Sequence, residues 1–330
     1  MSTFAAPVEG GNSGERALSD ETARLLGIDI GGTKTALVAG TLGGRIIEKI
    51  QFSSGAGRGP QAMLGDIEER GRAMLDRHPS VTAIGASVGG PIDAERGVVL
   101  GPPNLPGWDA VPLAAFLAEK LGRPARIEHD AKACALAEWR YGAGRGARDM
   151  VFLTLGTGLG AGIIANGKLV RGAGNLAGEI GHWRIAADGP DIYGKRGSFE
   201  GWCSGAGLPA LARALAPDRF GHVRDAANLA ARAVAGDPDA ESVIAQAGAA
   251  LGRGLALLVD LLAPEAIVLG NLARRLGAGF LEAAQAALAA EALPALAARC
   301  EVVCCALGEA IGDMAALSVA TETCEVEMPR

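Results

Sequence analysis

Three segments of this chain combine residue types that can do chemistry. In Gly27-Ile28-Asp29-Ile30-Gly31-Gly32-Thr33-Lys34-Thr35 an acid sits inside an apolar run, a Gly-Gly pair follows, and a hydroxyl and an ammonium come next. Adjacent glycines bare backbone N–H groups to an anion, so this order suits a phosphate held at a turn. A P-loop needs Gly-Lys-Ser/Thr directly and a helix behind it. Here Thr33 intervenes and the residues that follow alternate as a strand, which makes the turn part of a β-hairpin. The second segment, Leu155-Gly156-Thr157-Gly158-Leu159-Gly160-Ala161-Gly162, also closes an apolar strand. It formally satisfies the GxGxxA dinucleotide pattern, with Glu179 near the place of a ribose-binding acid. The chain then continues in two short β runs around Asn166-Gly167, so the helix that dinucleotide geometry requires is missing. The third segment is Glu128-His129-Asp130-Ala131, between a strand and a helix start, where Asp130 is either a helix N-cap or a carboxylate available to a proton.

Positioning these segments takes two α/β halves. Leu25–Ile30, Thr35–Ala39 and Ile46–Phe52 read as an antiparallel meander, with Leu42-Gly43-Gly44 as a tight turn. A helix over 61–77 carries Met63, Ile67, Met74 and Leu75 on one stripe, and a buried strand, Val81–Val88, follows. A second amphipathic helix contains Leu113, Phe116, Leu117 and Leu121. Then come a short strand, Ala125–Glu128, and a helical run, Ala131–Arg140. After Gly142, Gly144 and Gly146 the pattern restarts with strands Met150–Leu155, Ala161–Ala165 and Lys168–Val170. Alanine-rich helices over about 206–262 follow, then strand Ala266–Leu269, a helix near 279–291, strand Glu301–Cys305 and a last helix near 312–321. Two halves that each begin strand, glycine loop, strand would set their loops across a cleft, where a nucleoside triphosphate fits better than at either loop alone.

Composition limits the rest. The chain has 330 residues, 49% hydrophobic and 21% charged, which excludes low-complexity disorder as a whole-chain description. Its 49 glycines are about twice the usual share, and they suggest backbone passing close to something in several places, with phosphate loops favoured over an aromatic-lined groove. With 31 basic against 37 acidic residues there is no global positive field for nucleic acid. The cysteines Cys134, Cys203, Cys300, Cys304, Cys305 and Cys324 form no CxxC pair, so neither a disulfide framework nor a zinc ribbon is indicated. Residues 1–24 have no secretory pattern and read as a flexible tail, and Asp260, Pro264 and Glu265 interrupt the most apolar stretch, so no membrane span is expected. A cytoplasmic protein follows.

The motifs GIDIGGTKTALV, GGPID, PPNLPGW, HDAKACALAEW, LGTGLGAG and GEIGH, in this order over roughly residues 25–320, resemble the ROK family of sugar kinases and sugar-responsive repressors. That resemblance implies a two-lobed α/β fold of the actin-like ATPase (ribonuclease H-like) type with its active site in the interlobe cleft. Residues 25–141 with 311–323 would form one lobe, residues 142–310 the other, and 324–330 a second tail. It implies ATP held by Asp29, Gly31, Gly32, Thr33 and Lys34 on one side and by Gly156, Thr157, Gly158 and Gly160 on the other, with Mg²⁺ travelling with the ATP near Asp29. The adenosine-side motif resembles Pro264–Gly270, with Asn271 where the family usually has a second glycine.

On the acceptor side the resemblance makes Asp130 the catalytic base and Asn104, His129, Asp130, Glu179, His182 and Glu200 the sugar contacts. Paired acceptors such as Glu179 and His182 in a glycine-flanked segment suit the vicinal hydroxyls of a pyranose. His129 departs from the family's usual Asn and is expected to tune which hydroxyls, or an amine, are accepted. Many members carry a CxCGxxGC zinc motif; the matching Asp191-Ile192-Tyr193-Gly194-Lys195-Arg196-Gly197-Ser198 keeps both glycines and replaces every cysteine, so no structural zinc is expected. This loop is expected to turn through Gly194 and Gly197 and to pack with Tyr193 and Phe199. The implied activity is ATP-dependent phosphorylation of a hexose at O6, with glucose first and an amino sugar (N-acetylmannosamine, N-acetylglucosamine or a 3-amino-glucose) as the alternative. A catalytically silent sugar sensor is the rival of another class. A repressor would need a DNA-binding domain ahead of the first glycine loop, for which the preceding residues are too few and too polar. A homodimer is expected.

Overall fold

The structure is a computed structural model that describes residues 22–327. Most of the expected N-terminal tail lies outside the described residues. Its end belongs to the fold: Ala23 is buried in the first core, and Arg24 N donates to Gly40 O at 2.8 Å.

The first half comprises β1 (Leu25–Ile30), β2 (Lys34–Gly40), β3 (Ile46–Ser53), α1 (Pro60–Arg77), β4 (Ala83–Val88), α2 (Leu113–Leu121), β5 (Ala125–His129) and α3 (Asp130–Tyr141). Its sheet has the order β3-β2-β1-β4-β5, antiparallel through the meander and parallel from β1 to β5. The second half comprises β6 (Met150–Leu153), β7 (Ala161–Ala165), β8 (Lys168–Leu169), α4 (Phe199–Cys203), α5 (Gly207–Leu215), α6 (Ala226–Val234), α7 (Pro238–Leu262), β9 (Ala266–Leu269), α8 (Asn271–Leu276), α9 (Ala278–Glu291) and β10 (Glu301–Cys304). Its sheet repeats the first, in the order β8-β7-β6-β9-β10 with the same pattern of directions. The two expected halves, each strand, glycine loop, strand, are therefore one topology used twice.

Chain pattern explains these elements. The inner strands β1 and β4 are covered on both faces and read as apolar runs broken only by Asp29 and Ser87, whereas β3 at the edge alternates over its second half between partly buried and exposed residues. Helix α1 buries Met63, Leu64, Ile67, Gly71 and Met74 at helical spacing against the first core. The last helix, α10 (Ile311–Glu327), returns to the first sheet; a Cβ on Gly85 of β4 would meet Ala320 N at 2.0 Å. Gly252 on α7 likewise meets α9, where an added Cβ would lie 2.2 Å from Ala284 O. At these positions the close approach expected of the glycines is made by the protein's own helices. Helix α10 also runs through residues 324–327, so the expected C-terminal tail is helical where it is described, because the buried stripe from Ala315 to Ala320 anchors the helix beneath the sheet. Among the described residues α7 alone is long and apolar enough to cross a membrane by length and composition, yet Val243, Ile244, Ala247, Leu251 and Leu255 place it inside the second core.

Helix α3 joins the halves. Ala133 and Ala137 face α10, while Ala135 and Leu136 face Met150, Phe152 and Ile164 of the second sheet. Its fully buried Glu138 accepts from Ala143 N (2.7 Å), Ala306 N (3.2 Å) and Leu307 N (3.0 Å), so one carboxylate ties both chain crossings between the halves. Three backbone donors meet the hydrogen-bonding demand of this buried charge.

Candidate active site

The first glycine loop is the β1–β2 turn. Gly31 N donates to Lys34 O at 3.0 Å, and Ser54 braces the loop through Ser54 N to Thr33 O (3.0 Å) and Ser54 Oγ to Gly31 O (2.5 Å). The amides of Gly32 and Thr33 take no backbone acceptor among the described residues, and Thr33 and Lys34 are exposed. At the strand end the Asp29 carboxylate lies against Gly312, the second residue of α10. Burial, with Asp313 and Asp130 nearby, pushes its carboxyl pKa up to about 6, opposed by Lys34 and Lys49. Lys49 itself pairs with Asp313 at 2.6 Å. A partly buried acid among other acids suits a divalent cation carried in on phosphate oxygens.

The second loop joins β6 to β7, and a strand follows it, so the dinucleotide alternative fails in structure as it does in sequence. Thr154 Oγ1 accepts from Gly160 N at 2.9 Å. The carbonyls of Gly156 and Thr157 accept from Gly205 N (2.7 Å) and Ala206 N (3.0 Å) at the start of α5. Amides of Thr157 and Gly158 are left without a backbone acceptor among the described residues. Gly270, at the end of β9, packs on this loop's strand: an added Cβ would lie 2.5 Å from Thr154 O. Asn271 next to it turns its amide to Gly308 O (2.9 Å) and accepts from Cys305 Sγ (3.0 Å).

The loops meet through the acceptor residues. A Cβ on Gly32 would lie 2.5 Å from Asn104 O; a Cβ on Gly89 would lie 3.5 Å from Asn104 Oδ1 and 3.9 Å from Asp130 Oδ2; and a Cβ on Gly160 would lie 3.8 Å from Ala131 Cβ. The two loops thus lie beside one group of residues: Gly32 beside Asn104, Gly89 beside Asn104 and Asp130, and Gly160 beside Ala131, the residue after Asp130. Asn104 is exposed, and its turn is pinned by buried Leu105 and Trp108. Asp130 is the first residue of α3. Its Oδ1 accepts from Ala131 N at 2.6 Å, while the His129 side chain caps the same amide through Nδ1 at 3.3 Å. The N-cap is therefore His129 and not Asp130: Asp130, one residue inside the helix, bonds its own neighbour's amide through Oδ1, and its Oδ2 lies toward Gly89.

Glu179 and His182 bracket a single helical turn and are both exposed. His182 stacks on Tyr193 with ring centroids 5.8 Å apart. Glu200, in the first turn of α4, is not turned only toward an acceptor: its Oε2 accepts from Leu159 N at 2.9 Å and so supports the second glycine loop. The segment matching the zinc motif forms a small antiparallel hairpin, Asp191–Ile192 with Lys195–Arg196, turning through Tyr193 and Gly194 at φ 53° and 72°. The Lys195 ammonium donates to His182 O and ties the hairpin down. One expectation is corrected: Tyr193 is 80% exposed and stacks on the exposed His182, because the left-handed turn swings it outward, whereas Phe199 is buried against Trp183. Among the described residues no cluster of three His, Cys, Asp or Glu side chains is arranged for a metal.

Sequence reasoning missed Ser54, Thr154 and Lys132. Lys132, buried one turn into α3, donates to Asn175 O at 2.9 Å. Burial pushes its ammonium below the ordinary lysine range, with Glu128 and Glu179 opposing.

The ROK family model matches residues 25–322. The chain belongs to the ROK family. This ROK chain is 32% identical over 304 residues to the glucokinase of Halalkalibacterium halodurans, covering 87% of its own length and 92% of that protein's. Among solved structures it is similar to the ROK hexokinase from Thermus thermophilus (TM-score 0.80, 32% identity, 91% of this chain and 99% of that one). It is also similar to the ROK family glucokinase from Streptomyces griseus in complex with glucose and AMPPNP (TM-score 0.72, 29% identity, 90% and 99%). The duplicated sheet is thus the actin-like ATPase fold of ROK kinases.

Proposed function

We propose that this protein is an ATP-dependent sugar kinase that transfers the γ-phosphoryl group of MgATP to O6 of a hexose, with glucose the preferred acceptor. The observation that carries this reading is that Gly32 lies beside Asn104, Gly89 beside Asn104 and Asp130, and Gly160 beside Ala131, next after Asp130, which sets two anion-type turns around one carboxylate. Glucokinase and hexokinase relatives at about 30% identity support it. In this reading Asp130 Oδ2 accepts the proton of the sugar O6–H as O6 bonds to the γ-phosphorus and the bond to the ADP oxygen breaks. The amides of the two glycine loops take up charge on the phosphates, and Asp29 would hold the Mg²⁺ that comes with the ATP, which would offset further phosphate charge. Asn104, His129, Glu179, His182 and Glu200 hold the sugar, and closure of the halves about α3 excludes the water that would otherwise hydrolyse ATP. We also read the protein as a cytoplasmic homodimer; Leu257 and Leu261, one turn apart on α7 and 51% and 71% exposed, support a self-contact.

His129 in place of the family's Asn favours one second reading, an amino-sugar acceptor, since an imidazole edge at that position changes which polar group is matched. A coupled ADP-release assay over glucose, mannose, N-acetylglucosamine, N-acetylmannosamine and 3-amino-glucose tests both. Glucose is expected to give the highest kcat/KM. Highest turnover with an amino sugar selects the second reading, and silence with every sugar despite sugar binding makes the protein a sensor.

A further inference from the structure

Glu128 is 2% exposed, is the next-to-last residue of β5, just before His129 and Asp130, and is absorbed by none of the roles above. A buried carboxylate is costly unless its oxygens are matched, and the donors that match it come mostly from the other half of the molecule. Oε1 accepts from His129 N (2.9 Å) and from Asn175 Nδ2 (3.0 Å); Oε2 accepts from Arg171 Nε (2.9 Å). Arg171 reaches on to Glu322 of α10 at 2.7 Å, and the Asn175 carbonyl takes the buried Lys132 ammonium. Residues 171–175 therefore cross from β8 to lie along the edge strand of the first sheet. The same segment continues to Gly178, whose carbonyl accepts from Ala161 N at 2.9 Å, and then to Glu179. Beside it lies a cavity of about 460 Å³ lined in part by Glu128, Arg171, Asn175 and Glu322, so the segment is held by these polar bonds and not by close packing on that side.

We propose that Glu128 is a positioning residue for phosphoryl transfer: it fastens the strap of residues 171–179 to the strand end carrying His129 and Asp130, so that the sugar contact Glu179 and the base Asp130 move as one unit. The inference rests on the sugar-kinase reading. Its chemistry is specific, because both oxygens of Glu128 act as acceptors. A glutamine would point its NH₂ at either the Arg171 guanidinium or the paired His129 and Asn175 donors, so one side of the strap must release.

The test is steady-state kinetics of wild type, Glu128→Gln, Arg171→Met, Arg171→Lys and the Glu128→Gln/Arg171→Met double variant, with glucose and ATP varied separately. Glu128→Gln should lower kcat by about 10- to 100-fold, the scale of a misplacement near 1 Å, and raise the sugar KM while the ATP KM stays within about two-fold. Arg171→Met should reproduce the pattern more weakly, Arg171→Lys should restore part of it, and the double variant should be no worse than Glu128→Gln, because the two act through one connection. Arg171 is 40% exposed, so its variants decide the matter if Glu128→Gln does not fold. Folded variants with kcat and sugar KM within two-fold of wild type, or equal losses for sugar and ATP, overturn the positioning role. A wild type inactive with every sugar overturns the kinase reading instead.

Discussion

The Nδ1 atom of His129 lies 3.2 Å from Oδ1 of Asp130. In the same arrangement Nδ1 accepts from Ala131 N, which requires the neutral imidazole to carry its hydrogen on Nε2, on the side of Gly90. His129→Ala removes that acceptor and leaves the amide of Ala131 to Oδ1 of Asp130 alone. The carboxylate is then drawn further towards the helix end, so kcat with glucose should fall by about ten-fold while the ATP KM stays within about two-fold of wild type. An unchanged kcat in His129→Ala would show that the ring does not position the base.

Asp130→Asn keeps an oxygen to accept from Ala131 N, so helix α3 should retain its first turn. What it removes is the proton acceptor on the side of Gly89. Turnover should fall by about 10²- to 10⁴-fold, while sugar affinity, read by calorimetry, changes little. A variant with near-normal turnover would remove Asp130 from the chemistry.

The repeated strand, loop, strand order was readable because it rests on local periodicity and turn residues, and strands such as Leu25–Ile30, Ala161–Ala165 and Ala266–Leu269 have the expected bounds. Helix α8 was not expected: Gly270-Asn271 reads locally as a turn, and the side-chain bond from Asn271 to Gly308 that seats this helix is non-local. The roles of Ser54, Lys132 and Glu128 were hidden for the same reason. Each is defined by partners far away in the chain, and no spacing or period in a single sequence encodes such a pairing. Glycines were legible as a surplus but not by purpose, since Gly32 beside Asn104 and Gly85 beneath α10 look alike in one dimension.

Asp29 should cost the protein stability. Its carboxyl is raised from 3.8 to about 6 in the folded state. Above pH 6 the group is ionised in both folded and unfolded chains, and the folded state bears the cost of a desolvated charge. As pH falls from 6 towards 4 the folded state takes up the proton first and gains stability. A displacement of about 2 units corresponds to about 3 kcal/mol as an upper estimate. Asp29→Asn should accordingly unfold at higher denaturant than wild type at pH 8 and at nearly the same denaturant at pH 4, while losing kinase activity. A variant less stable at pH 8 would refute the assignment of this cost to Asp29.

Glu200 separates two kinds of contact. If it served the sugar alone, its removal would raise the sugar KM and leave ATP untouched. Its Oε2 instead accepts from Leu159 N inside the second glycine loop, and a Cβ added at Gly158 would lie 3.0 Å from that same oxygen. Glu200→Ala therefore deprives the loop of a support while the amide of Leu159 gains only water, and a charge-assisted bond of this kind contributes roughly 1.5–3 kcal/mol. The KM values for both glucose and ATP should rise, each by about ten-fold or more. Glu200→Gln, which can still offer one oxygen to Leu159 N, should recover most of the ATP KM but less of the sugar KM. An ATP KM unchanged in Glu200→Ala would confine Glu200 to the sugar and leave the second loop to stand on Thr154 and the amides of Gly205 and Ala206.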